Sequence, residues 1–357
     1  MQIKQIATTN VRIPYAAPVG PYIGRRSVGG HGTLGAGGLI VKIETDTGVI
    51  GWGEGTGEFE TDPNIILAAH RVANIEGALA AMELAGISKG PMSGIEMALW
   101  DALGKHAELP VYQLFGGQVR DEVDFCACMG LKEPTESAAT AREYIDRWGF
   151  RFLKTKAGDD SNSDLKIAEA IQGEVGNEAV LRPDANNGYS PEEAKSVLRR
   201  MKNLGVCYFE DPCSSEHLDA LVHFRMEIGM GILVNMGVGT PDTVLTLLAN
   251  EGVDIIMPDT PAAGGMIRVK KVAAVAEAYN TPCLMHCSHD LGLKTAAITH
   301  IAASTPNFSG PNDTCYHGLT DDILVEPLRF ENGKIRVPSN PGLGVDVDEA
   351  KIEKYSV

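Results

Sequence analysis

Phe152-Leu153-Lys154-Thr155-Lys156 and, one repeat later, Val180-Leu181-Arg182-Pro183-Asp184 set the reading of this chain. Each is a short apolar run that ends in a residue able to bind a metal or carry a proton. The same design continues in Cys207-Tyr208-Phe209-Glu210, Ile232-Leu233-Val234-Asn235, Asp254-Ile255-Ile256-Met257-Pro258-Asp259 and Pro282-Cys283-Leu284-Met285-His286. The functional ends fall roughly 25 residues apart, which is one strand, one helix and two loops. Polar groups repeated at strand C-termini are what a (β/α) barrel needs to build a site on its top face.

Working outward, eight strand candidates lie near 123–129, 151–156, 179–184, 206–210, 231–235, 254–259, 282–286 and 308–313. Helical stretches separate them, including 136–148 and 191–204. The second opens Ser190-Pro191-Glu192-Glu193, an N-cap, an N1 proline and an acidic first turn. Repeating βα units imply a parallel sheet, and eight of them suggest closure. Residues 1–120 lack this rhythm. Residues 2–13 alternate like a strand, and 39–44 and 49–54 read as a hairpin about Asp46-Thr47-Gly48. Amphipathic helices follow at about 62–84 and 91–106. The chain is thus expected to be α/β: a (β/α) barrel over 121–322, an α+β capping domain over 1–120, and a tail, 323–357, packing back on that cap. In the tail, Ile335-Arg336-Val337-Pro338 reads as a strand returning to the N-terminal domain.

Composition narrows the function. A chain of 357 residues has room for a barrel and a smaller unit. Its formal charge of −16 argues against nucleic-acid and anionic-membrane partners, which select basic surfaces. It also means that an anionic substrate must be held by local cations. The seven cysteines form no paired framework and no zinc spacing, so they read as reduced thiols in a cytoplasmic protein. No apolar run is long enough to span a bilayer, and the N-terminus has no signal-peptide core.

Lys154 and Lys156, two apart on a strand, share a face. On a strand covered by its neighbours, two inward lysines point to a site. Each is expected to depress the other's pKa, making Lys156 a base near neutral pH. Asp184, Glu210 and Asn235 end three successive strands, and three oxygen ligands suit Mg²⁺. Glu216 and Asp211 are possible substitutes for Asn235, because an amide is the weaker ligand. His286 ends the seventh strand and Asp259 the sixth, so the carboxylate can orient the ring as a base. His289 and His317 compete with His286. Asp313 supplies either a substrate contact or a cap at Thr314, and Gly264-Gly265 either an anion-binding turn or a tight turn.

In this order the residues resemble the enolase superfamily, mandelate racemase subgroup. Gly51-Trp52-Gly53-Glu54, Glu96-Met97-Ala98-Leu99-Trp100-Asp101 and Leu114-Phe115-Gly116-Gly117 look like the capping domain of that group. The resemblance implies a modified TIM barrel, (β/α)7β. It further implies Mg²⁺ on Asp184, Glu210 and Asn235, opposed bases in Lys156 and the His286–Asp259 pair, and Lys154 at the substrate carboxylate. A homo-oligomer is expected on the same ground. One departure stands out: Val234-Asn235-Met236 replaces the acidic third ligand of the racemases. It is similar to glucarate dehydratases, as is Asp313-Thr314.

That departure leans towards dehydration of an acid sugar, an aldonate or aldarate, through an enediolate; superfamilies of this kind use a Lys or His base with Mg²⁺. Lys156 or His286 would take the proton α to the carboxylate, and the 3-hydroxyl would leave to give a 2-keto-3-deoxy acid. Arg25, Arg26, Tyr22, Asn186, Asp313 and Lys154 are the expected substrate contacts, with the two arginines closing over the barrel mouth. A racemase or epimerase, or a sugar-lactone cycloisomerase, would use the same bases. A non-catalytic acid-binding protein would tolerate loss of Lys156.

Overall fold

A computed structural model describes residues 1–24 and 33–357 of the chain. Arg25, Arg26 and His31 lie outside the described residues. An antiparallel sheet comes first, in the order β1 (Ile3–Pro14), β2 (Gly35–Thr45) and β3 (Ile50–Gly55). Helices α1 (Pro63–Leu67), α2 (Ile75–Leu84) and α3 (Lys89–Ala107) follow. The helix expected over 62–84 is therefore split. The reason is backbone pairing: Ile3 N donates to His70 O and Val72 N to Met1 O, so 68–74 runs beside β1 instead of coiling. Glycine sets the closeness of β3 to α3. A Cβ on Gly51 or Gly53 would lie 2.1 Å from the carbonyl oxygen of Ala98 or Gly94 respectively, which only a residue without a side chain permits.

The barrel strands are β4 (Glu122–Met129), β5 (Phe152–Lys156), β6 (Val180–Asp184), β7 (Tyr208–Glu210), β8 (Gly231–Val234), β9 (Ile255–Ile256) and β10 (Asn312–Thr314). They pair in parallel in the order β10-β4-β5-β6-β7-β8-β9. The seventh position, expected as a strand over 282–286, is an extended segment with a single bridge, Ile256 to Cys283. It closes the ring nonetheless. Leu284 N donates to Ile256 O, His286 N to Pro258 O, and Asp313 N to Met285 O. Its ladder is interrupted because Met285 N donates to the side chain of Asn312, at 2.7 Å, and not to a backbone carbonyl. The helix from Pro191 to Asn203 starts as its sequence implies, with Ser190 Oγ accepting from Glu193 N.

Strand β11 (Lys334–Arg336) pairs antiparallel with β4, so this part of the tail extends the barrel sheet and does not join the cap. Ile335 is buried there beside Val123. The end of the chain does return to the cap: Arg12 N donates to Tyr355 O, Val357 N to Asn10 O, and Lys42 pairs with Glu349. No helix among the described residues is long and apolar enough to cross a membrane.

Two buried carboxylates of the first 120 residues are seated on barrel helices. Glu54 accepts from Leu291 N and Lys294 N, both at 2.8 Å, at the start of the helix Gly292–Ala303. Glu96 accepts from Met266 N and Ile267 N at the start of Met266–Ala278. Helix N-termini present unpaired N–H groups and a positive dipole end, so each carboxylate is a capping ligand. Gly265, at φ 139°, leaves room for it, since a Cβ there would lie 2.7 Å from the Glu96 carboxyl carbon. The Gly264-Gly265 turn thus seats an acid, and that acid is the chain's own Glu96.

Candidate active site

Register brings three groups, Lys156, Asp184 and Glu210, to one level, with Lys154 a step below beside Arg182. Lys156 pairs with Asp184 across β5 and β6, and Asp184 with Glu210 across β6 and β7. Lys156 Nζ lies 2.7 Å from Asp184 Oδ2 and 2.9 Å from Asn186 Oδ1. Asn186, at φ 45° just past the strand, donates its backbone N–H to Asp184 Oδ1. Lys154 is buried, with Nζ 3.0 Å from Asp184 Oδ2, 2.6 Å from Glu210 Oε1 and 2.9 Å from Asp313 Oδ2.

This arrangement corrects the expectation that Lys154 is depressed. Burial does lower the Lys154 ammonium, but Asp184, Asp313 and Glu210 outweigh it and carry its pKa well above the ordinary value. The same exchange holds Asp184 ionised: burial opposes its charge, and Lys154 and Lys156 overcome that. Asp313 also departs from expectation as a substrate contact. It is completely buried, and its two oxygens are taken by Lys154 and Arg182. Arg182 reaches Glu210 as well, Nε to Oε2 at 3.1 Å. Sequence reasoning passed over Arg182, yet it stands two residues before Asp184 and so shares its inward face.

Asp184, Glu210 and Asp211 offer carboxylate oxygens within 4.8 Å of one another. Asp211, expected only as a substitute for Asn235, is a member of this cluster. Its oxygens accept from Asn235 N and Met236 N, each at 3.1 Å, which ties the β8 end to the β7 end. Asn235 Nδ2 donates to Met257 O at 2.9 Å, which leaves its carbonyl oxygen for a ligand. Burial and the neighbouring carboxylates raise the pKa of Glu210, and that of Asp211 still further. Glu210 Oε2 is buried without a hydrogen bond, its arginine neighbour approaching as an ion pair only. Crowded, buried, oxygen-only acids with an unsatisfied lone pair fit a hard divalent cation. Glu216, the other substitute, lies in the exposed or half-exposed turn after β7 and is not part of this cluster.

On the other side of the ring, His286 Nδ1 lies 3.1 Å from Asp259 Oδ2. That bond leaves Nε2 as the ring's second functional nitrogen. Asp259 also accepts from Ser288 Oγ and pairs with Lys294, Nζ to Oδ1 at 2.7 Å. Burial opposes the charge of Asp259, but Lys294 and His286 prevail and keep its pKa below the usual carboxylate range. Lys294 is buried between Asp259 and Asp290 and stays charged. Neither Ser288 nor Lys294 carried a sequence signal, because each lies in or beyond the loop after the seventh position.

Tyr22, Lys154, Lys156, Asn186, Asn235 and His286 line one cavity of about 420 Å³, inside the ~300–1,000 Å³ range of small-molecule sites. His289 lines it too, bonded through Nδ1 to Tyr15 Oη at 2.8 Å. Burial and then Lys156 push His289 down to about 4, so its ring is neutral at neutral pH. His317 is elsewhere, enclosed by Tyr144, Trp148, Phe150 and Phe330. That placement removes it from competition with His286.

Residues 136–351 match the family described as enolase C-terminal domain-like, and residues 31–116 match the mandelate racemase / muconate lactonizing enzyme N-terminal domain. The chain is 29% identical to the L-Ala-D/L-Glu epimerase of Bacillus subtilis, over 97% of each protein. It is 30% identical to the D-xylonate dehydratase of Haloferax volcanii, covering 89% of this chain and 85% of that one. A crystal structure of an isomerase from Streptomyces coelicolor A3(2) shares the fold with a TM-score of 0.85 at 28% identity, over 99% of this chain and 98% of that chain.

Proposed function

This chain belongs to the mandelate racemase / muconate lactonizing enzyme family of the enolase superfamily, and on that premise we propose that it is a Mg²⁺-dependent dehydratase of a polyhydroxy acid. The observation that carries the reading is one cavity lined by two separate proton-transfer groups, Lys156 on β5 and His286 at the seventh position. The cluster of acids stands at the ends of the strands between them.

Asp184 and Glu210, with Asn235 or Asp211 as the third oxygen donor, would hold the cation. When bound, Mg²⁺ supplies the Lewis-acid charge that makes a proton α to a carboxylate removable. Lys154 adds fixed positive charge from a buried, water-poor position, where it acts more strongly than in water. Lys156, in its neutral form, takes the C2 proton, and the C–H pair becomes the enediolate π bond. As the carbonyl re-forms, the C3–O bond breaks. Protonated His286, oriented by Asp259 and Ser288, gives its proton to the departing hydroxyl, which leaves as water. The resulting enol takes up a proton at C3 and becomes a 2-keto-3-deoxy acid. A positioned acid or base contributes about 10²–10⁴-fold.

The D-xylonate dehydratase among the relatives supports elimination over simple proton exchange. A second reading, 1,1-proton transfer at C2, draws on the same pair of bases and on the epimerase relative. A panel of mono- and diacid sugars with Mg²⁺ separates the two. Formation of a 2-keto acid supports dehydration. Loss of optical rotation with α-proton exchange and no keto acid would replace it with epimerisation.

A further inference from the structure

We propose that Cys128, Cys287 and Cys315 form a second cation site, a three-sulfur site for a thiophilic divalent ion such as Zn²⁺ or Cd²⁺, opening on the same cavity. The three sit at adjacent barrel positions. Cys128 is on β4, Cys287 follows the seventh segment and Cys315 follows β10. No linear spacing announces them, since closure of the ring brings them together.

Their sulfur atoms lie within 4.8 Å of one another. A tetrahedral Zn²⁺ with Zn–S near 2.3 Å needs S···S separations of about 3.8 Å, so rotamer-scale movement suffices. All three thiols are free and buried, and all three line the cavity. An ion therefore has an entry path and, once bound, a fourth position open to water or substrate. The electrostatics favour ionised sulfur at Cys128, whereas hydrogen bonding to Cys128 and burial raise the thiols of Cys287 and Cys315, whose protons an ion must displace. Burial opposes a Cys128 thiolate, but hydrogen bonds from Cys287 and Cys315 and the charges of Lys154 and Arg182 outweigh it. Three thiolates and a divalent ion sum to one negative charge, and binding releases the three thiol protons. Sulfur donors select soft ions and the oxygen cluster selects hard ones, so the two sites discriminate by chemistry.

The binding claim is independent of the reaction assigned above. It is tested on the reduced, full-length protein in excess Mg²⁺. Titration with Cd²⁺ is expected to give a sulfur-to-metal charge-transfer band that saturates at one equivalent. Cys287→Ser and Cys315→Ala should each abolish that band, whereas Cys207→Ser, at an exposed thiol, should keep it. X-ray absorption of the unsubstituted protein with one equivalent of Zn²⁺ should read three sulfur neighbours near ~2.3 Å. That measurement does not depend on how the variants fold. A first shell of oxygen and nitrogen, or a band that survives both substitutions, overturns the site.

Discussion

Lys156 and Asp184 are joined by a 2.7 Å contact between Nζ and Oδ2, and the same oxygen lies 3.0 Å from Lys154. The proposed base and a proposed metal acid are thus partners in one ion pair. A cation engaging Asp184 would compete with Lys156 for the same oxygen. Asp184→Asn should lower α-proton exchange by at least ~10²-fold, measured by mass spectrometry of substrate in ²H₂O. Chelation should do the same to the unsubstituted protein, with recovery on adding Mg²⁺. Full exchange after exhaustive chelation would disprove the metal's role.

Asp259 fixes the other proton carrier. It holds His286 through Nδ1 and is itself held by Ser288 and Lys294. Asp259→Asn keeps the shape but weakens the orientation of the ring and removes the carboxylate charge beside it. A fall in kcat of roughly 10²–10⁴-fold is expected, with a smaller change in KM. His286→Asn should fall as far, and Ser288→Ala less. If elimination by His286→Asn proceeds undiminished in ²H₂O, His286 is not the required acid.

Much of this was legible because a strand's period of two is rigid. Lys154, Lys156, Asp184 and Glu210 stand at strand ends in fixed register. The same rule applied to Arg182 would have placed it beside Asp184. What escaped lies where backbone order breaks down. The seventh position is extended without a full ladder because a side chain, Asn312, accepts from Met285 N. Ser288 and Lys294 act from the loop and helix beyond it. Asp313 departs from its expected role because a strand-end acid says nothing about which buried cation it meets, and here it meets two. The cysteine trio depends on which strands become neighbours when the ring closes.

Lys294 tests how the dyad is supported. It is buried, and its ammonium lies 2.7 Å from both Asp259 and Asp290. Removing one member of a buried ionic cluster strands the others. Lys294→Met should cost about 3–5 kcal/mol in unfolding free energy, read from denaturant melts. It should also lower kcat with KM less affected, because Asp259 loses an anchor. A variant as stable as the parent would show that the charges are solvated or protonated instead.

Glu54 gives the pH test. Burial, then Asp290, push it up to about 8, against the opposing pull of Leu291 N–H, Lys294 N–H and the Lys294 charge. The folded chain therefore keeps a proton that the unfolded chain releases near the ordinary value of 4.5. This raised value stabilises the fold fully below about 4.5. The contribution shrinks as pH climbs, at up to ~1.4 kcal/mol per unit, and is gone above about 8. Glu96, pushed up to about 7 by its own burial, slopes the same way, so the difference between proteins is the quantity to read. Glu54→Gln keeps an acceptor for the helix start but cannot titrate. Its Tm should therefore fall less between pH 5 and pH 8 than that of the parent, on the order of a few degrees for a chain this size. Parallel Tm profiles for parent and variant would mean that Glu54 is ionised throughout, with the helix N-terminus and Lys294 prevailing over burial.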